Sequence, residues 1–470
     1  MIGNALVDAV IEYLRTNQQR FLKELCQYLR LPSVSAQSAY KKEVARCAAW
    51  LAAHCTQLGL ETRVFKTKGH PIVIAKTPAD AVAPVRPGSR LPHFLVYGHY
   101  DVQPPEPLEL WHHLPFEPYV KGRRIYARGA ADNKGQHFAH LKAVEAYLKT
   151  KTPLPCHVTF LIEGEEEVGS PNLVPFLHAH RSELAADAII ISDTGMPGLR
   201  YPALTYALRG IISFEITVRG PKSDLHSGIY GGAVDNPAMV LCSLLAKARG
   251  PDGRVAIPGF YDDVAPLTQF ERRQLARLPL KERDFKRLLG VPQLFGEAGY
   301  STEERRSARP TFEINGLTSG YQGEGSKTII PAWARAKVTC RLVPNQHPGR
   351  IRQLVLEFFR RECPPTVQLE IKSGSGSAPY MISPESPRAK AALRALRAAF
   401  GREPLLMREG GSIPIVPQMS KVLGAEVILL GLALPDANAH APNENFDVRC
   451  FAKGQLLSAY LWQELPRPAE

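Results

Sequence analysis

Three short apolar runs, separated by stretches with helical periodicity, constrain the fold of this chain more than any other feature. The runs cover residues 93–97, 157–162 and 188–191, and the helical stretches lie at about 134–150 and 171–181. Strands that alternate with helices in this way build a sheet that is covered by helices. The first part of the chain is therefore predicted to be an α/β domain.

A second pattern begins near residue 205. Residues 211–218 and 334–342 alternate in the manner of half-exposed strands, with helical stretches at about 236–248 and 349–361. Such alternation is typical of a sheet that is covered on one face only. This middle part is predicted to be a separate α+β unit.

The first pattern returns after the Gly/Ser stretch at 373–377, which we interpret as a hinge. A helix at about 385–400 and a buried strand at 425–430 follow it. A chain of 470 residues also exceeds the size at which one hydrophobic core usually stops growing. We therefore predict a discontinuous catalytic domain and an inserted lid, with the bounds 1–204 and 378–470 for the former and 205–377 for the latter.

The formal net charge of +13 raises the possibility of a nucleic-acid-binding protein. The basic residues are spread along the chain, however, and their densest stretch, at 272–309, is interleaved with Glu282, Asp284, Glu303 and Glu304. This pattern favours a solvated surface. We expect no nucleic-acid partner.

The eight cysteines contain no CxxC pair, and several have apolar neighbours. Buried free thiols in a reducing compartment are the resulting expectation. Residues 1–20 lack the uninterrupted apolar core of a signal peptide, and no run approaches the ~18 apolar residues of a membrane span. The sequence predicts a cytoplasmic protein with no membrane partner.

His99 follows the first apolar run and is followed by Asp101. An imidazole at a strand end is well placed to bind a metal, and a carboxylate nearby can orient it by accepting its other ring N–H. Taken alone, the motif is also what a histidine that only forms a local hydrogen bond would show, and that is the default interpretation of an isolated motif of this kind.

Asp132 lies in the loop at 127–135, which opens a helix. An Asp in this position is commonly an N-cap. Its two carboxylate oxygens could also bridge two divalent ions, as in two-metal hydrolytic sites.

An acidic run, Glu163 to Glu167, follows the second apolar run. Carboxylates this close repel one another, so a solvated acidic loop is one interpretation. A metal pair offers another, in which one glutamate binds a metal and its neighbour acts as a general base.

Asp193 ends the third apolar run, and His440 follows the late strand. Each could be a turn or cap residue. Together with the motifs above they give two imidazoles, several carboxylates and no thiolate, a set that suits zinc or a similar first-row ion.

These segments, in this order, closely resemble the carnosinase, cytosolic non-specific dipeptidase and glutamate carboxypeptidase family of co-catalytic metallopeptidases. The resemblance covers nearly the whole chain and is greatest to the dipeptidase branch, through 111–132, 224–228 and 408–414. It implies a mixed-sheet α/β zinc-peptidase catalytic domain of the phosphorylase/hydrolase-like kind, with an inserted α+β lid or dimerisation domain.

Position by position, the resemblance implies two divalent metal ions per subunit, with zinc expected and manganese or cobalt as alternatives. It gives His99 and Asp193 to one ion, Glu167 and His440 to the other, and makes Asp132 the bridge. Glu166 becomes the general base that activates a water between the metals, and Asp101 orients His99.

The same resemblance implies four further residues, three in the lid and one, Ser412, outside it. His226 would reach the site of a partner subunit and stabilise the oxyanion, which implies a homodimer; a histidine that caps a turn is the alternative. Arg341 would bind the terminal carboxylate of the substrate, with Ser412 and Thr328 assisting.

Two positions depart from the family pattern. Asn133 stands where many dipeptidases have a second Asp, and Ser375 stands where carnosinase-like enzymes carry a histidine near the hinge. The second departure prevents a transfer of substrate preference, so carnosine is not predicted as the substrate.

The predicted activity is hydrolysis of the amide bond in dipeptides or dipeptide-like substrates with a free C-terminal carboxylate. An N-acyl-amino-acid deacylase on the same metal centre is the first alternative. A non-catalytic basic binding protein is the second.

Overall fold

The structure is a computed structural model that describes residues 2–84 and 90–467. Several helices start where their sequence supplies a cap: the side chains of Asn236, Ser386 and Asp447 each accept a backbone N–H of the first turn. The α-helices are α1 (Ile2–Thr16), α2 (Gln18–Leu29), α3 (Lys41–Leu58), α4 (Lys134–Thr150), α5 (Leu173–Ala179), α6 (Ser227–Tyr230), α7 (Pro237–Lys247), α8 (Gln269–Ala276), α9 (Glu282–Leu289), α10 (Thr302–Ala308), α11 (Pro348–Glu362), α12 (Pro387–Phe400), α13 (Ile415–Leu423) and α14 (Val448–Glu464).

The strands include every apolar run identified in the sequence. They are β1 (Glu61–Phe65), β2 (Ile72–Lys76), β3 (His93–His99), β4 (Tyr119–Lys121), β5 (Arg124–Tyr126), β6 (His157–Glu163), β7 (Ala188–Ile191), β8 (Ala203–Leu208), β9 (Gly210–Arg219), β10 (Leu225–His226), β11 (Thr311–Ser319), β12 (Ile329–Ile330), β13 (Trp333–Leu342), β14 (Gln368–Ser373), β15 (Tyr380–Met381), β16 (Leu405–Glu409), β17 (Glu426–Leu429) and β18 (Asn445–Asp447).

The chain divides into two compact units, each described here by itself. Unit 1 comprises Met1–Tyr206, Ile382–Met407 and Gln418–Glu470, and unit 2 comprises Ala207–Met381 and Arg408–Pro417.

Unit 1 is built on a mixed sheet whose strands follow the order β1-β2-β6-β3-β7-β17-β8. β3 runs parallel to β6 and β7, and β17 runs parallel to β7, whereas β1 and β2 are antiparallel additions at one side. The parallel strands are buried on both faces, which explains their continuous apolar sequences. Helix α4 is buried along most of its length and packs against α1 and α14.

Unit 2 is built on an antiparallel sheet in the order β11-β13-β9-β14. Alternate residues of β13, such as Val338 and Cys340, are buried in a core that includes side chains of α7 and α11. Arg341 has the opposite parity on β13 and is half-buried on the other face of the sheet. A short antiparallel pair, β10 with β12, carries His226.

The predicted α/β first part and α+β middle part are confirmed by these elements. The predicted bounds, 1–204 with 378–470 for the catalytic domain and 205–377 for the lid, stay a prediction of domain roles. Residues 408–417, placed in the catalytic domain by that prediction, group with unit 2. Within that unit Ser412 donates a hydrogen bond to the Arg209 carbonyl at 2.5 Å.

All eight cysteines are free thiols; Cys242 is exposed, whereas the other seven are buried or half-buried. Among residues 2–84 and 90–467, no helix combines the length and the apolar character that crossing a membrane requires.

Candidate metal centre

The candidate ligands lie together at one edge of the sheet of unit 1. His99 is the last residue of β3, Glu163 is the last residue of β6, and Asp193 follows β7. Because these strands are adjacent and parallel, their carboxyl ends meet, and the loops that follow them face the same space. Such an edge is where α/β proteins commonly bind their ligands.

The carboxylate of Asp132 lies between the two imidazoles. Its Oδ1 is 3.2 Å from Nε2 of His99, and its Oδ2 is 2.8 Å from Nε2 of His440. Oδ1 of Asp193 is 3.6 Å from Nε2 of His99, and Oε2 of Glu167 is 3.5 Å from Nε2 of His440. Two groups of donors therefore share Asp132, with His99 and Asp193 on one side and His440 and Glu167 on the other.

Asp132 is not the helix cap that its position could indicate. Helix α4 begins at Lys134, and no side-chain hydrogen bond caps it at Asn133. The Asp132 side chain faces His99 and His440 instead.

The acidic run is divided between structural and site-facing carboxylates. Glu163 accepts hydrogen bonds from Tyr97 and Ser170, both at 2.7 Å, and Glu165 accepts one from Asn172 at 2.8 Å. Glu163 and Glu165 are both buried, so this segment is not a solvated acidic loop. The carboxylate of Glu167 faces His440 and Asp132, and Glu166 is close enough for the charges of His99 and Asp132 to act on it.

Asp101 supports both the histidine and the acidic run. Its backbone carbonyl is 3.1 Å from Nδ1 of His99, and its carboxylate oxygen is 3.4 Å from the same atom. The same carboxylate accepts the backbone N–H groups of Glu166 and Glu167 at 3.2 and 3.1 Å. Asp101 thus holds two segments of the site in place. The sequence had predicted its contact with His99 but not its contact with the acidic run.

Glu444 and Arg128 form a buried ion pair that the sequence analysis did not predict. Nη1 of Arg128 is 2.8 Å from Oε2 of Glu444. The Glu444 carboxylate also accepts the backbone N–H groups of Gly129, Ala131 and Asp132 at 2.9, 2.8 and 3.0 Å. It therefore joins the loop of Asp132 to the loop of His440, which lies four residues before it. Arg128 lies in the loop at 127–135 and Glu444 follows His440 in the sequence, but nothing in the sequence indicates that the two residues form a pair.

Two amide side chains were also missed as supporting residues. Asn133 donates to Oδ1 of Asp193 at 2.7 Å and accepts from Nδ1 of His137 at 3.0 Å. Gln103 donates to Oε2 of Glu167 at 2.7 Å. The Asn133 contact shows that the departure from the family pattern supplies a hydrogen-bond donor that a carboxylate would lack.

The electrostatics of the cluster fit a pair of cations. Burial raises the pKa of Glu167 to about 9, and nearby Asp132 contributes to the shift. Burial, together with the charges of Asp193 and Glu167, raises the pKa of Glu166 well above its ordinary value. Burial alone would lower the pKa of His99, but Asp193, Asp101 and Asp132 raise it well above its usual range. Carboxylates that are buried without cations are unfavourable, and bound metal ions would remove this cost.

Two buried atoms of the cluster form no hydrogen bond in the described part of the chain, although one of them, Nε2 of His99, lies 3.2 Å from Asp132. Among the described residues, Nε2 of His99 and Oε1 of Glu167 are buried and accept or donate no hydrogen bond. Ligand atoms of His99, Asp132 and Glu167 lie within 4.8 Å of one another. Nitrogen and oxygen donors arranged in this way fit a first-row divalent ion.

The residues expected from the lid lie in unit 2. Nη1 of Arg341 donates to Oγ of Ser412 at 2.9 Å, and Ser412 is held in turn by the Arg209 carbonyl. His226 and Thr328 are exposed, and Nδ1 of His226 accepts the backbone N–H of Gly228 at 3.0 Å. The turn-capping contact is therefore present, and the ring is exposed; the role towards a partner subunit stays a prediction.

Two imidazoles and two carboxylates around a shared aspartate, at the carboxyl edge of an α/β sheet, are typical of a metal-dependent hydrolase. Residues 95–464 match the profile of peptidase family M20/M25/M40, and the chain belongs to that family. It is therefore a metallopeptidase, and the resemblance identified from the sequence is confirmed.

Similar proteins include dipeptidases from distant organisms. Cys-Gly metallodipeptidase dug1 of Schizosaccharomyces pombe is 30% identical over 464 residues, which cover 97% of this chain and 98% of that protein. The Beta-Ala-His dipeptidase of Homo sapiens is 28% identical over 475 residues, covering 98% of this chain and 93% of that protein. The crystal structure of an M20 family metallo-carboxypeptidase, Sso-CP2 from Sulfolobus solfataricus, matches with a TM-score of 0.83 and 32% identity, covering 95% and 99% of the two chains.

Proposed function

We propose that this protein hydrolyses the amide bond of dipeptides with a free C-terminal carboxylate, at two divalent metal ions bound around Asp132. The observation that carries the proposal is the placement of that carboxylate, with Oδ1 3.2 Å from His99 and Oδ2 2.8 Å from His440. Each oxygen is directed at a different imidazole, as a bridge between two ions requires. The similar proteins named as dipeptidases support this substrate class.

We assign one ion to His99 and Asp193, the other to Glu167 and His440, and both to Asp132. Ions bound there would polarise the scissile carbonyl and lower the pKa of the attacking water. Zinc is the proposed ion because the set contains two imidazoles and no thiolate; manganese or cobalt would use the same donors.

Glu166 is the proposed general base. It accepts a proton as the water oxygen attacks the carbonyl carbon, and it returns that proton to the leaving nitrogen when the C–N bond breaks. Its neighbour Glu165 is held away by Asn172. Asp101 fixes the backbone of Glu166 and so positions the base.

Arg341 is the proposed ligand of the substrate's terminal carboxylate. A guanidinium can bind a carboxylate through two parallel hydrogen bonds, and Ser412 already holds one of its nitrogens. Thr328 is proposed as a further contact. This requirement for a free carboxylate confines cleavage to the last amide bond of a peptide, which excludes an internal peptide segment.

A homodimer is part of the proposal, with His226 of the partner subunit as a donor to the oxyanion that forms on the carbonyl. Exposure of the His226 ring supports this role. A donor of this kind commonly contributes about 2.7–4 kcal/mol to transition-state stabilisation. A cytoplasmic location is proposed because the eight thiols are all free.

The test of this function is a parallel assay of unblocked dipeptides and N-acetyl amino acids with the zinc-reconstituted protein. We expect hydrolysis of the dipeptides. Preferential hydrolysis of the N-acetyl amino acids would replace the proposal by an N-acyl-amino-acid deacylase. Absence of hydrolysis in a protein shown to contain two metal ions would contradict both.

The role of Glu166 is tested with Glu166→Gln and the matched neighbour variant Glu165→Gln. Glu166→Gln should keep its metal content and lose turnover by about 100-fold to 10,000-fold. Glu165→Gln should retain turnover within about tenfold, because its carboxylate is bound by Asn172. The reverse pattern would shift the general base to position 165.

A further inference from the structure

Unit 2 contains a cavity of about 440 Å3 whose lining is unusually rich in arginine. Its volume is within the range of small-molecule binding sites. The cavity is lined entirely by residues of unit 2. Its arginines are Arg209, Arg249, Arg305, Arg306, Arg309 and Arg341.

The carboxylates around the cavity neutralise only some of these charges. Glu297 binds Arg309 through two hydrogen bonds of 2.7 Å, and Arg306 is paired with Glu303 at 2.8 Å. Glu313 is the other carboxylate in the lining and is exposed. The carboxylates therefore leave a positive excess at the cavity.

Four arginines form their hydrogen bonds and ring contacts with neutral groups. Arg209 donates to the carbonyls of Gly410 and Arg309, at 2.8 and 3.3 Å. Nε of Arg305 donates to the Glu297 carbonyl at 2.9 Å, and Nη1 of Arg341 donates to Ser412. The guanidinium of Arg249 lies 4.0 Å from the ring centre of Phe295.

Within the described ranges, none of these four guanidinium groups forms an ion pair with a carboxylate. Burial and repulsion from Arg341 and Arg306 lower the pKa of Arg209 to about 10, although the charges of Glu409 and Glu313 act in the opposite direction. Like charges held this close are unfavourable unless an anion lies among them.

Two glycines provide the space in which these side chains converge. A Cβ at Gly296 would lie 2.6 Å from Cδ of Arg305, and Gly296 has a φ of 137°. A Cβ at Gly410 would lie 2.4 Å from the Arg306 carbonyl oxygen and 3.1 Å from Nη2 of Arg209. The backbone thus approaches the arginines closely only because both positions lack side chains.

We propose that this arginine cavity binds a free small molecule that carries at least two anionic groups, phosphate or carboxylate. Several guanidinium groups that line one cavity can match the oxygens of such groups through charge-assisted hydrogen bonds. Arg341 is the one residue that the cavity shares with the proposed substrate contacts. The binding site does not otherwise depend on the proposed reaction.

The test is isothermal titration of fructose 1,6-bisphosphate and of tricarballylate into the full metal-loaded chain. We expect saturable binding of at least one of the two, with an affinity that falls as salt concentration rises. Arg249→Gln/Arg305→Gln should weaken that binding by about 100-fold, since each substitution removes a charged donor. Arg360→Gln is the matched control, because Arg360 is exposed on α11 and lies outside the cavity lining; its affinity should equal that of the wild type.

A second measurement covers the case in which the double variant does not fold. Hydrogen exchange of the wild-type chain should slow at 249–255 and 296–311 when the probe is added. Absence of saturable binding by the wild type, or equal affinity in the double variant and the control, would overturn the proposal.

A kinetic comparison decides whether the arginine cavity binds a free ligand or an acidic side chain of the substrate. The ratio of kcat/KM for Ala-Glu to that for Ala-Gln should be the same in the wild type and in Arg249→Gln/Arg305→Gln. A ratio that falls at least tenfold in the double variant would overturn the free-ligand proposal and assign the cavity to an acidic substrate residue. Binding is measured without turnover, so failure of the proposed dipeptidase function would leave the titration result unaffected.

Discussion

Glu444 accepts the backbone N–H of Asp132 at 3.0 Å, although the two residues are far apart in the sequence. The same carboxylate is paired with the buried guanidinium of Arg128. Both side chains of the pair are almost fully buried, with exposed fractions of 1% for Arg128 and 0% for Glu444. The position of the proposed bridging ligand therefore depends on a buried ion pair that is not itself among the proposed metal ligands.

Glu444→Gln is expected to weaken both folding and metal binding. The substitution leaves the Arg128 charge buried without a counter-charge, which commonly costs about 3–5 kcal/mol in free energy of unfolding. It also places an amide donor among backbone donors. The free energy of unfolding, measured in urea, should decrease. The affinity for zinc, measured by competition with a chelator, should also decrease.

Glu109→Gln is the control for this prediction, because Glu109 is an exposed carboxylate of the same unit. It should leave both quantities unchanged. Wild-type zinc affinity in Glu444→Gln would show that the Asp132 loop is fixed without this pair.

Removal of the metal ions is expected to lower thermal stability. Nε2 of His99 and Oε1 of Glu167 are buried and form no hydrogen bond with the residues that the structure describes, and only the native fold gathers the ligands, so ions bind the folded state preferentially. Free zinc at 100 to 1,000 times its Kd should add about 2.7–4.1 kcal/mol. Calorimetry of the chelated and reconstituted protein should show a lower Tm without metal. Asp132→Asn should reduce the difference in Tm between the chelated and the reconstituted protein. Equal Tm values for these two samples of the wild type would contradict the assignment of the metal ligands.

The candidate site was largely predictable because its ligands follow strands. His99 and Asp193 come directly after apolar runs, and parallel neighbouring strands bring their carboxyl ends together. The sequence also places His440 after a later strand, and β17 pairs with β7 in parallel. Parallel strand direction therefore explains why motifs that are separate in the sequence lie at the same edge of the sheet.

The supporting contacts were not predictable, since each joins segments that are distant in the sequence. Nothing local pairs Glu444 with Arg128 or Gln103 with Glu167. The segment 408–417, which groups with unit 2, likewise makes contacts that are distant in the sequence, such as the one between Ser412 and the Arg209 carbonyl. Periodicity finds elements, but it does not determine which buried polar groups satisfy one another.

His140 is expected to make stability depend on pH in the acid range. Burial lowers the pKa of this histidine to about 4, and its ring nitrogens contact the hydroxyls of Ser192 and Ser458 at 2.8 and 2.7 Å. The unfolded chain, with an ordinary pKa of about 6.5, binds a proton more readily than the folded protein. The stability contribution is therefore complete above pH 6.5 and is lost as the pH falls towards 4, by up to about 3 kcal/mol.

The check is urea unfolding of the metal-free protein between pH 7 and pH 4, so that metal release does not contribute. The decrease in stability should be smaller in His140→Gln, which has no titrating group at that position. His112→Gln, a substitution of an exposed histidine, should retain the wild-type slope. A slope unchanged in His140→Gln would mean that another group titrates.

Arg341→Lys is expected to reduce dipeptide hydrolysis while leaving metal content unchanged. An ammonium group keeps the charge but cannot form two parallel hydrogen bonds to a carboxylate, and it loses the guanidinium contact with Ser412. The loss of one charge-assisted hydrogen bond corresponds to a decrease in kcat/KM of roughly 10-fold to 100-fold.

Arg335→Lys is the matched control, because Arg335 lies on the same strand, β13, and is half-buried like Arg341. Dipeptide amides, which lack the carboxylate, should be poor substrates for the wild type and should not be affected further by Arg341→Lys. An equal decrease for dipeptides and their amides would show that Arg341 maintains the structure rather than binding the substrate carboxylate.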